Sequence, residues 1–298
     1  MRMGPLDSAS PGGSLAQTPE IRIFVSCHQP YPVPAHPMLF PIQVGGALAE
    51  RRFPGFLQDD GGENISRLNR AYCELTAQYW VWKNLKADYY GFFHYRRYLY
   101  PNLGAKRPYT IESSPTQELL ERLNFAALAG IVQEHELIAP IGENMFMPVR
   151  EHYGTSKHHH RKDLALTEHI VQELYPGYGR ALEKYLSQPV CYFGNIFIME
   201  HGLFHRYCAW LFSILAEFDR RADLSGYSAQ ELRVDGYLAE RLLGVFYTQC
   251  RMEGVRCVEL PRMDFIADER IRRKRKLLYA LLPPGTKRRA VVKRWSGL

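Results

Sequence analysis

The sequence predicts an α/β fold, in which helices flank a central sheet. Short apolar segments rich in β-branched and aromatic residues alternate with longer segments whose apolar residues recur at helical spacing. The order of the first half is strand, loop, helix, strand, helix, strand, and ligands of such sheets bind at the carboxyl ends of the strands. The 298 residues, of which 46% are hydrophobic, suffice for one large domain or two joined lobes.

Six short apolar segments are predicted to be strands. The first, Ile21–Cys27, would place His28 at its carboxyl end, and a proline-rich loop follows it up to Pro41. The other five are Ile42–Val44, Tyr89–His94, Glu136–Pro140, Cys191–Glu200 and Val255–Leu260. Gly194 and Asn195 interrupt the fifth of these six segments.

Helices are predicted where apolar residues recur three and four positions apart. One helix is capped by Ser66 or Asn69 and runs to about Leu85. The other helical segments are Gln117–Val132, the polar stretch Val149–Gln188, Leu203–Phe218 and Glu231–Cys250.

The positive charge of the chain resides in its C-terminal tail. Eleven of the 38 Lys and Arg residues lie between Arg270 and Leu298, a segment without Asp or Glu. The rest of the chain therefore has 27 basic against 31 acidic residues, a net charge of −4 against +7 for the whole. A nucleic-acid enzyme would carry its basic groups along a groove of the body, so we expect no nucleic-acid partner.

The tail, residues 269–298, is predicted to be a basic amphipathic helical segment. Its leucines and valines alternate with basic clusters, the pattern of a segment that lies on anionic lipid, where each cation contributes about 1 kcal/mol. The alternative is a solvated helix that packs its apolar face on the body.

The remaining composition predicts a protein that is cytosolic or lies on a membrane surface, and with the basic tail we expect it to be cytoplasmic and peripheral on the inner face of the cell membrane. The six cysteines are spaced singly, without a C-x-x-C pair, as expected for reduced thiols. Residues 1–20 lack an apolar core and are predicted to form a disordered leader, with the folded domain at residues 21–268. No apolar run approaches the roughly 20 residues that span a bilayer.

A basic and aromatic cluster ends the strand Tyr89–His94. The segment Ala87–Pro101 reads ADYYGFFHYRRYLYP, so His94, Arg96 and Arg97 stand at a strand end. Guanidinium groups bind phosphate through two parallel hydrogen bonds, and a strand edge would direct them at a diphosphate. The alternative is that these arginines pair with carboxylates of the body.

Two other clusters contain residue types that bind divalent cations. The acidic loop Gln58–Ser66 offers Asp59, Asp60 and Glu63, although its spacing is not that of an EF-hand and an exposed turn explains it equally well. The triplet His158–His160 lacks the spacing of a metal site.

Glu240 lies within an otherwise apolar helical segment, next to Arg241. A carboxylate at such a position is either part of a structural ion pair or a catalytic base.

Taken together, these segments resemble a known family. The matching blocks are CHQP, PIQVGGAL, DDGGENISRLNRAYCELTAQYWVWKNL, GFFHYRRYL, EHYGTSKHHHRKDL, FGNIFIM, YCAWLFSIL and GYLAERLL, in this order between Ile21 and Asp264. The chain resembles the domain of unknown function 4422 family, glycosyltransferase-like proteins of capsular and exopolysaccharide gene clusters. The first motif of that family reads histidine-lysine, whereas Gln29 follows His28 here. The basic tail lies outside the resemblance.

The resemblance implies a GT-A-like glycosyltransferase with a Rossmann-type mixed sheet that binds a nucleotide sugar. GT-A enzymes commonly carry a D-x-D metal motif at the strand end where His94-Tyr95-Arg96 stands here, so we expect arginines to replace the metal clamp. We expect no metal cofactor, with Mg²⁺ or Mn²⁺ held by Asp59, Asp60 and Glu63 as the alternative. The residues assigned to the nucleotide-sugar site are His28, Asp60, Asn64, His94, Arg96, Arg97 and Asn195.

The catalytic base would then be Glu240, with Asp235 as second choice. The predicted reaction moves a galactosyl or galactofuranosyl group from a UDP-sugar donor to a lipid-linked or growing capsular, exopolysaccharide or O-antigen glycan. The alternative is a non-catalytic carbohydrate-binding or assembly protein that keeps the fold.

Overall fold

The protein is described by a computed structural model for residues 19–284 and 286–289, which form twelve strands and ten α-helices. The strands are β1 (Ile21–Cys27), β2 (Leu39–Gln43), β3 (Leu57–Gln58), β4 (Tyr89–His94), β5 (Arg97–Leu99), β6 (Tyr109–Glu112), β7 (Leu137–Pro140), β8 (Glu143–Asn144), β9 (Val190–Cys191), β10 (Phe197–Glu200), β11 (Cys257–Leu260) and β12 (Arg262–Phe265). The helices are α1 (Asn69–Tyr72), α2 (Leu75–Asn84), α3 (Gln117–Arg122), α4 (Leu128–Glu134), α5 (Val149–Tyr153), α6 (Arg161–Leu174), α7 (Gly179–Ser187), α8 (His201–Arg221), α9 (Val234–Met252) and α10 (Glu269–Leu281).

Ten of the strands form one mixed sheet. Its main order is β11-β7-β10-β4-β1-β2-β3, with β1 parallel to both β2 and β4, and β10 antiparallel to β4 and β7. At the end of β4 the chain turns back into β5, which pairs with β12, and β12 pairs with β6. The predicted α/β class is confirmed.

The sheet separates two apolar cores because side chains alternate across a strand. On one face, Phe24 and Phe92 stack at 5.5 Å, and Phe204 of α8 stacks on Phe92 at 5.5 Å. On the other face, Ile23 and Phe93 belong to a core that also includes buried residues of α3 and α4. Burying an aromatic side chain of this size contributes about 2–3 kcal/mol, so these central strands anchor the site at their carboxyl ends.

Two predicted helices are broken in the structure. The one predicted from Ser66 or Asn69 to Leu85 is interrupted at Cys73, which has a φ of 52°, so α1 and α2 are separate. The segment Gln117–Val132 is divided in the same way by Asn124, at a φ of 49°. Residues with positive φ cannot continue a right-handed helix.

The predicted strands are present with shifted limits, and several short strands were not predicted. The second strand, predicted at Ile42–Val44, begins at Leu39 instead. It includes Pro41, which pairs with Val25 of β1. The predicted interruption at Gly194 and Asn195 is confirmed, since both have positive φ and separate β9 from β10. The pairing of β5, β6 and β12 was not predicted, because each has only three or four residues.

The tail is described up to residue 289, except residue 285. Its helix α10 packs on β6 through Tyr279, which is buried and whose hydroxyl donates to the carbonyl oxygen of Tyr109. Val291, Val292 and Trp295 of the predicted amphipathic segment, and residues 1–18 of the predicted leader, lie outside the described residues. Within the described ranges, no helix has the combined length and apolar character needed to cross a bilayer.

Candidate active site

A cleft opens at the carboxyl ends of the parallel strands β1 and β4. Ser26 of β1 is in register with His94 of β4, so the chain beyond each strand emerges side by side. The first cavity of the cleft, about 610 Å³, includes His28, His94 and Arg96 in its walls. We call it the strand-end cavity. Its position agrees with the general rule for ligands of parallel sheets.

A second cavity, about 370 Å³, continues the first and is here called the inner cavity. The two share Glu74, His94, Arg96 and Arg233 among their lining residues, so together they form one cleft. Of these two cavities, only the inner one is lined by Arg97, His159, Gly194, Glu240 and Arg241.

Three guanidinium groups give the cleft its positive charge. In the described ranges, neither Arg96, Arg97 nor Arg233 forms an ion pair with a carboxylate, although Arg233 donates to Sγ of Cys73 at 3.2 Å. The interpretation of the HYRR arginines as partners of body carboxylates is therefore wrong. Cationic groups that lack carboxylate partners around a cavity form a site for an anion.

Rings and arginines surround the histidines at the mouth of the cleft. His28 contacts Tyr95 edge-on at 5.0 Å, and the guanidinium of Arg96 lies over the Tyr95 ring at 5.0 Å. Burial, followed by the charges of Arg97 and Arg96, holds the pKa of His94 well below its usual value. Burial and Arg96 also lower the pKa of His28. Both imidazoles are thus neutral at neutral pH, in a surrounding that favours an anion.

Glu240 lines the inner cavity together with Arg97, from the first half of α9. Its Oε1 accepts the backbone N–H of Gly194 at 2.8 Å, and its Oε2 accepts from Nη1 of Arg241 at 3.4 Å. Arg241 is only 2% exposed, and its guanidinium lies 5.3 Å from the centre of the Phe193 ring. These contacts fix the orientation of the Glu240 carboxylate while leaving it on the cavity wall.

Asp235, the second-choice base, does not reach the cleft. It lies five positions before Glu240 on α9, which places the two side chains about 140° apart around the helix. It is fully buried, and burial together with Asp219 raises the pKa of Asp235 well above its usual value. A buried carboxyl that lines neither cavity has no access to a substrate in the cleft.

Asn195 is buried behind the cleft wall. Its Nδ2 donates to Oε1 of Glu74 at 2.8 Å and to the Gly236 carbonyl at 3.1 Å, so Gly194 and not Asn195 faces the inner cavity. Burial and the Glu240 carboxylate raise the pKa of Glu74. The Gly194-Asn195 turn is thus held between two carboxyl groups.

The acidic loop Gln58–Ser66 has a structural role through Asp59. The buried carboxylate of Asp59 accepts the backbone N–H groups of Gly45 and Gly46, each at 2.8 Å, and the hydroxyl groups of Ser66 and Thr76, each at 2.6 Å. These four bonds join three segments of the chain.

The other polar side chains of the acidic loop also have local partners. Asp60 pairs with Arg52, Glu63 accepts from Tyr79 and Lys83, and Asn64 donates to carbonyls of its own loop. Neither Asp60 nor Asn64 lines the cleft, contrary to their assignment to the nucleotide-sugar site. Across the described ranges, no three His, Cys, Asp or Glu side chains are arranged to hold a metal ion.

The histidine triplet is divided between two environments. His159 stacks on Tyr153 and Tyr237, at 4.5 and 4.3 Å between ring centres, and lines the inner cavity. Burial and Arg241 lower the pKa of His159 to about 4. His160 instead contacts Glu231 at 2.9 Å.

Sequence reasoning missed Glu74, His159, Arg233 and Arg241 as residues of the cleft. Arg233 and Arg241 flank Asp235 and Glu240 in the segment RVDGYLAERLL, and basic residues near a candidate base were the available signal. The helix break at the half-buried Cys73, next to Glu74, has no comparable signal in the sequence.

Comparison with known proteins agrees with this architecture. A solved structure described as the WbbM bifunctional glycosyltransferase in its apo form is 30% identical, with a TM-score of 0.78. The match covers 84% of this chain and 46% of that chain, so the protein spans about half the length of this structural relative. No curated protein matches the chain significantly.

The family model described as domain of unknown function DUF4422 matches residues 22–251. That range contains every lining residue of the cleft, from Ser26 to Arg241. It covers well over half of the 298 residues, and the chain therefore belongs to the DUF4422 family.

Proposed function

We propose that the protein is a GT-A-like glycosyltransferase that uses a UDP-sugar and a lipid-linked glycan acceptor. One observation carries the proposal: the guanidinium groups of Arg96, Arg97 and Arg233, which have no carboxylate partner in the described ranges, line a cleft at the strand ends, and the carboxylate of Glu240 lines the same cleft. The similarity to part of a bifunctional glycosyltransferase supports the same class of reaction.

The diphosphate of the nucleotide sugar binds Arg96, Arg97 and Arg233. Each charge-assisted hydrogen bond to phosphate contributes about 1.5–3 kcal/mol, and the same groups stabilise the charge that develops on the departing nucleoside diphosphate. The exposed ring of His28 lines the strand-end cavity, with the buried Tyr95 packed behind it, so a nucleobase can stack on His28.

Glu240 acts as the base in this proposal. The acceptor hydroxyl oxygen bonds to the anomeric carbon, and its proton passes to Glu240 as the sugar–diphosphate bond breaks. The electron pair of that bond leaves with the nucleoside diphosphate. This is an inverting transfer, in which the base and the leaving group lie on opposite sides of the sugar.

A D-x-D type metal site does not fit the residues at the end of β4. Hard divalent cations require carboxylates, whereas His94, Tyr95 and Arg96 stand there and Asp59 is committed to loop hydrogen bonds. We therefore assign the charge compensation to arginines and no step to a metal ion.

The galactosyl or galactofuranosyl identity of the transferred group follows the association of the family with capsular and exopolysaccharide clusters. The location follows the tail: its cations and exposed leucines would hold the enzyme on the inner face of the membrane, beside a lipid-linked acceptor.

A screen of nucleotide sugars tests the proposal. Purified protein is incubated with UDP-galactose, UDP-galactofuranose and UDP-glucose, with EDTA or with Mn²⁺, and release of UDP is measured. We expect one UDP-sugar to be turned over equally with and without EDTA. If UDP-sugars bind without turnover in the presence of lipid-linked acceptors, the non-catalytic carbohydrate-binding alternative replaces this proposal.

A further inference from the structure

An apolar groove of about 720 Å³ lies between the tail helix α10 and the body, and is here called the tail groove. Its volume is in the range of small-molecule sites. The apolar side chains in its walls are Ile111, Phe193, Ile271, Leu277, Leu278, Leu281 and Leu282. Most of them belong to or directly follow α10, so this helix builds the groove together with β6.

The apolar residues of α10 are not covered by the described part of the chain. Leu277 is 62% exposed and Leu281 is 67% exposed, and Ile271 is half exposed. Tyr279 alone of this helix is buried against the body. A helix of this kind leaves an apolar surface open, and such surfaces mark binding sites.

Cations accompany the apolar walls. Lys274, Arg275 and Arg289 line the groove, and in the described ranges none of the three has an ion-pair partner. By contrast, the buried Arg262 is neutralised by Glu143 at 3.1 Å and Asp264 at 2.8 Å. The uncompensated charge of the groove is therefore positive, which complements an anionic head group.

The tail groove shares a wall with the candidate active site. Arg97, Phe193 and Glu240 line both the groove and the inner cavity. A molecule in the groove would therefore border the proposed base, which does not line the strand-end cavity.

From this arrangement we infer that the tail groove binds the hydrocarbon chain and phosphate of one lipid-phosphate acceptor molecule. The chain lies along the leucines of α10, the phosphate contacts Lys274, Arg275 and Arg289, and the attached sugar extends toward Glu240. The assignment of this molecule as acceptor rests on the proposed function, whereas the binding site itself does not.

A binding experiment tests the groove apart from catalysis. The probe is farnesyl monophosphate, used below its critical micelle concentration, and its binding to the full chain is measured by calorimetry. We expect saturation at one molecule per chain. The Leu277→Glu/Leu281→Glu variant should weaken binding about tenfold or more, because two apolar contacts are lost and an anion is repelled.

The matched control is Leu103→Glu/Leu174→Glu, which changes two leucines of similar exposure outside the groove. It should bind the probe as the wild type does. Because the changed leucines are exposed in both variants, we expect both to fold, and their melting temperatures verify this.

Several outcomes would overturn the inference. They are the absence of saturable probe binding, equal losses in both leucine variants, displacement of the probe by UDP, or binding only to anionic vesicles. UDP binding by the same wild-type protein is measured in parallel. If the wild type binds the probe but not UDP, the proposed function is contradicted and the groove remains a binding site. If it binds UDP but not the probe, the groove is contradicted and the proposed function remains.

Discussion

The backbone N–H of Gly194 donates to Oε1 of Glu240 at 2.8 Å, and this bond joins the break between β9 and β10 to helix α9. Gly194 has a φ of 96°, a backbone conformation that residues with side chains rarely adopt. A glycine is therefore needed here to aim this N–H at the Glu240 carboxylate. The proposed base is consequently held by backbone geometry and by Arg241, while it borders both the cleft and the tail groove.

Replacing Glu240 tests its role as base. Glu240→Gln keeps an oxygen that can accept the Gly194 N–H but cannot take up a proton. We expect kcat for sugar transfer to fall about 100- to 10,000-fold, with UDP affinity nearly unchanged. The control is Asp235→Asn, on the far face of α9, which should retain transfer. A larger loss in Asp235→Asn than in Glu240→Gln would reverse the assignment.

Arg233 was not assigned to the site from the sequence, and its contribution is measurable. Arg233→Ala should weaken UDP binding about 10- to 100-fold, since a charge-assisted bond to the diphosphate is lost. Arg180→Ala, at an exposed position on α7, removes the same charge away from the cleft. Equal affinities for Arg233→Ala and Arg180→Ala would remove Arg233 from the proposed clamp.

Asp59 and Asp60 should differ sharply in their effect on stability. Asp59→Ala leaves four buried donors without their acceptor and should lower the free energy of unfolding by about 3–5 kcal/mol. Asp60→Ala removes an ion pair with the exposed Arg52, and the unfolding free energy should stay close to that of the wild type because solvent screens such a pair. Chemical denaturation compares the two variants. If Asp59→Ala instead kept full stability and lost only a metal-dependent activity, the loop would be a metal site.

His159 predicts a pH dependence of stability. Its pKa is about 4 in the folded protein against 6.5 for a free imidazole, so between these values the unfolded chain binds more protons. The stability contributed by neutral His159 is present above pH 6.5 and is lost as the pH falls toward 4. The full effect is at most about 3 kcal/mol.

Denaturation between pH 7 and pH 4 measures this dependence. We expect His159→Gln to flatten the curve, and His169→Gln, at an exposed position of α6, to leave it as in the wild type. An unchanged slope in His159→Gln would assign the acid sensitivity to other groups.

The sequence predicts the strands that build the site more accurately than it predicts the side-chain contacts around the site. Apolar runs specify β1 and β4 directly, because a central strand is buried on both faces, and the basic cluster after β4 marks the cleft edge. The position of Glu240 followed from a carboxylate in an apolar helix.

The remaining site residues depend on long-range geometry. Asp59 resembles an exposed turn residue in the sequence, and only the tertiary structure brings the Gly45-Gly46 amides to its carboxylate. Asn195 follows a glycine at a strand break, but whether its side chain points into the cleft is decided by Glu74, 121 positions away. The tail groove likewise requires β6, which is too short to be predicted.

The central claim is that arginines, and not a metal ion, bind the diphosphate of the nucleotide sugar. The most direct test is calorimetric titration of UDP into the wild type and Arg96→Ala/Arg97→Ala, each with and without EDTA, with Arg180→Ala as the control. The account predicts that EDTA leaves UDP affinity unchanged and that the double variant loses about 100-fold or more of it. UDP binding that EDTA abolishes, and that survives replacement of both arginines, would contradict it.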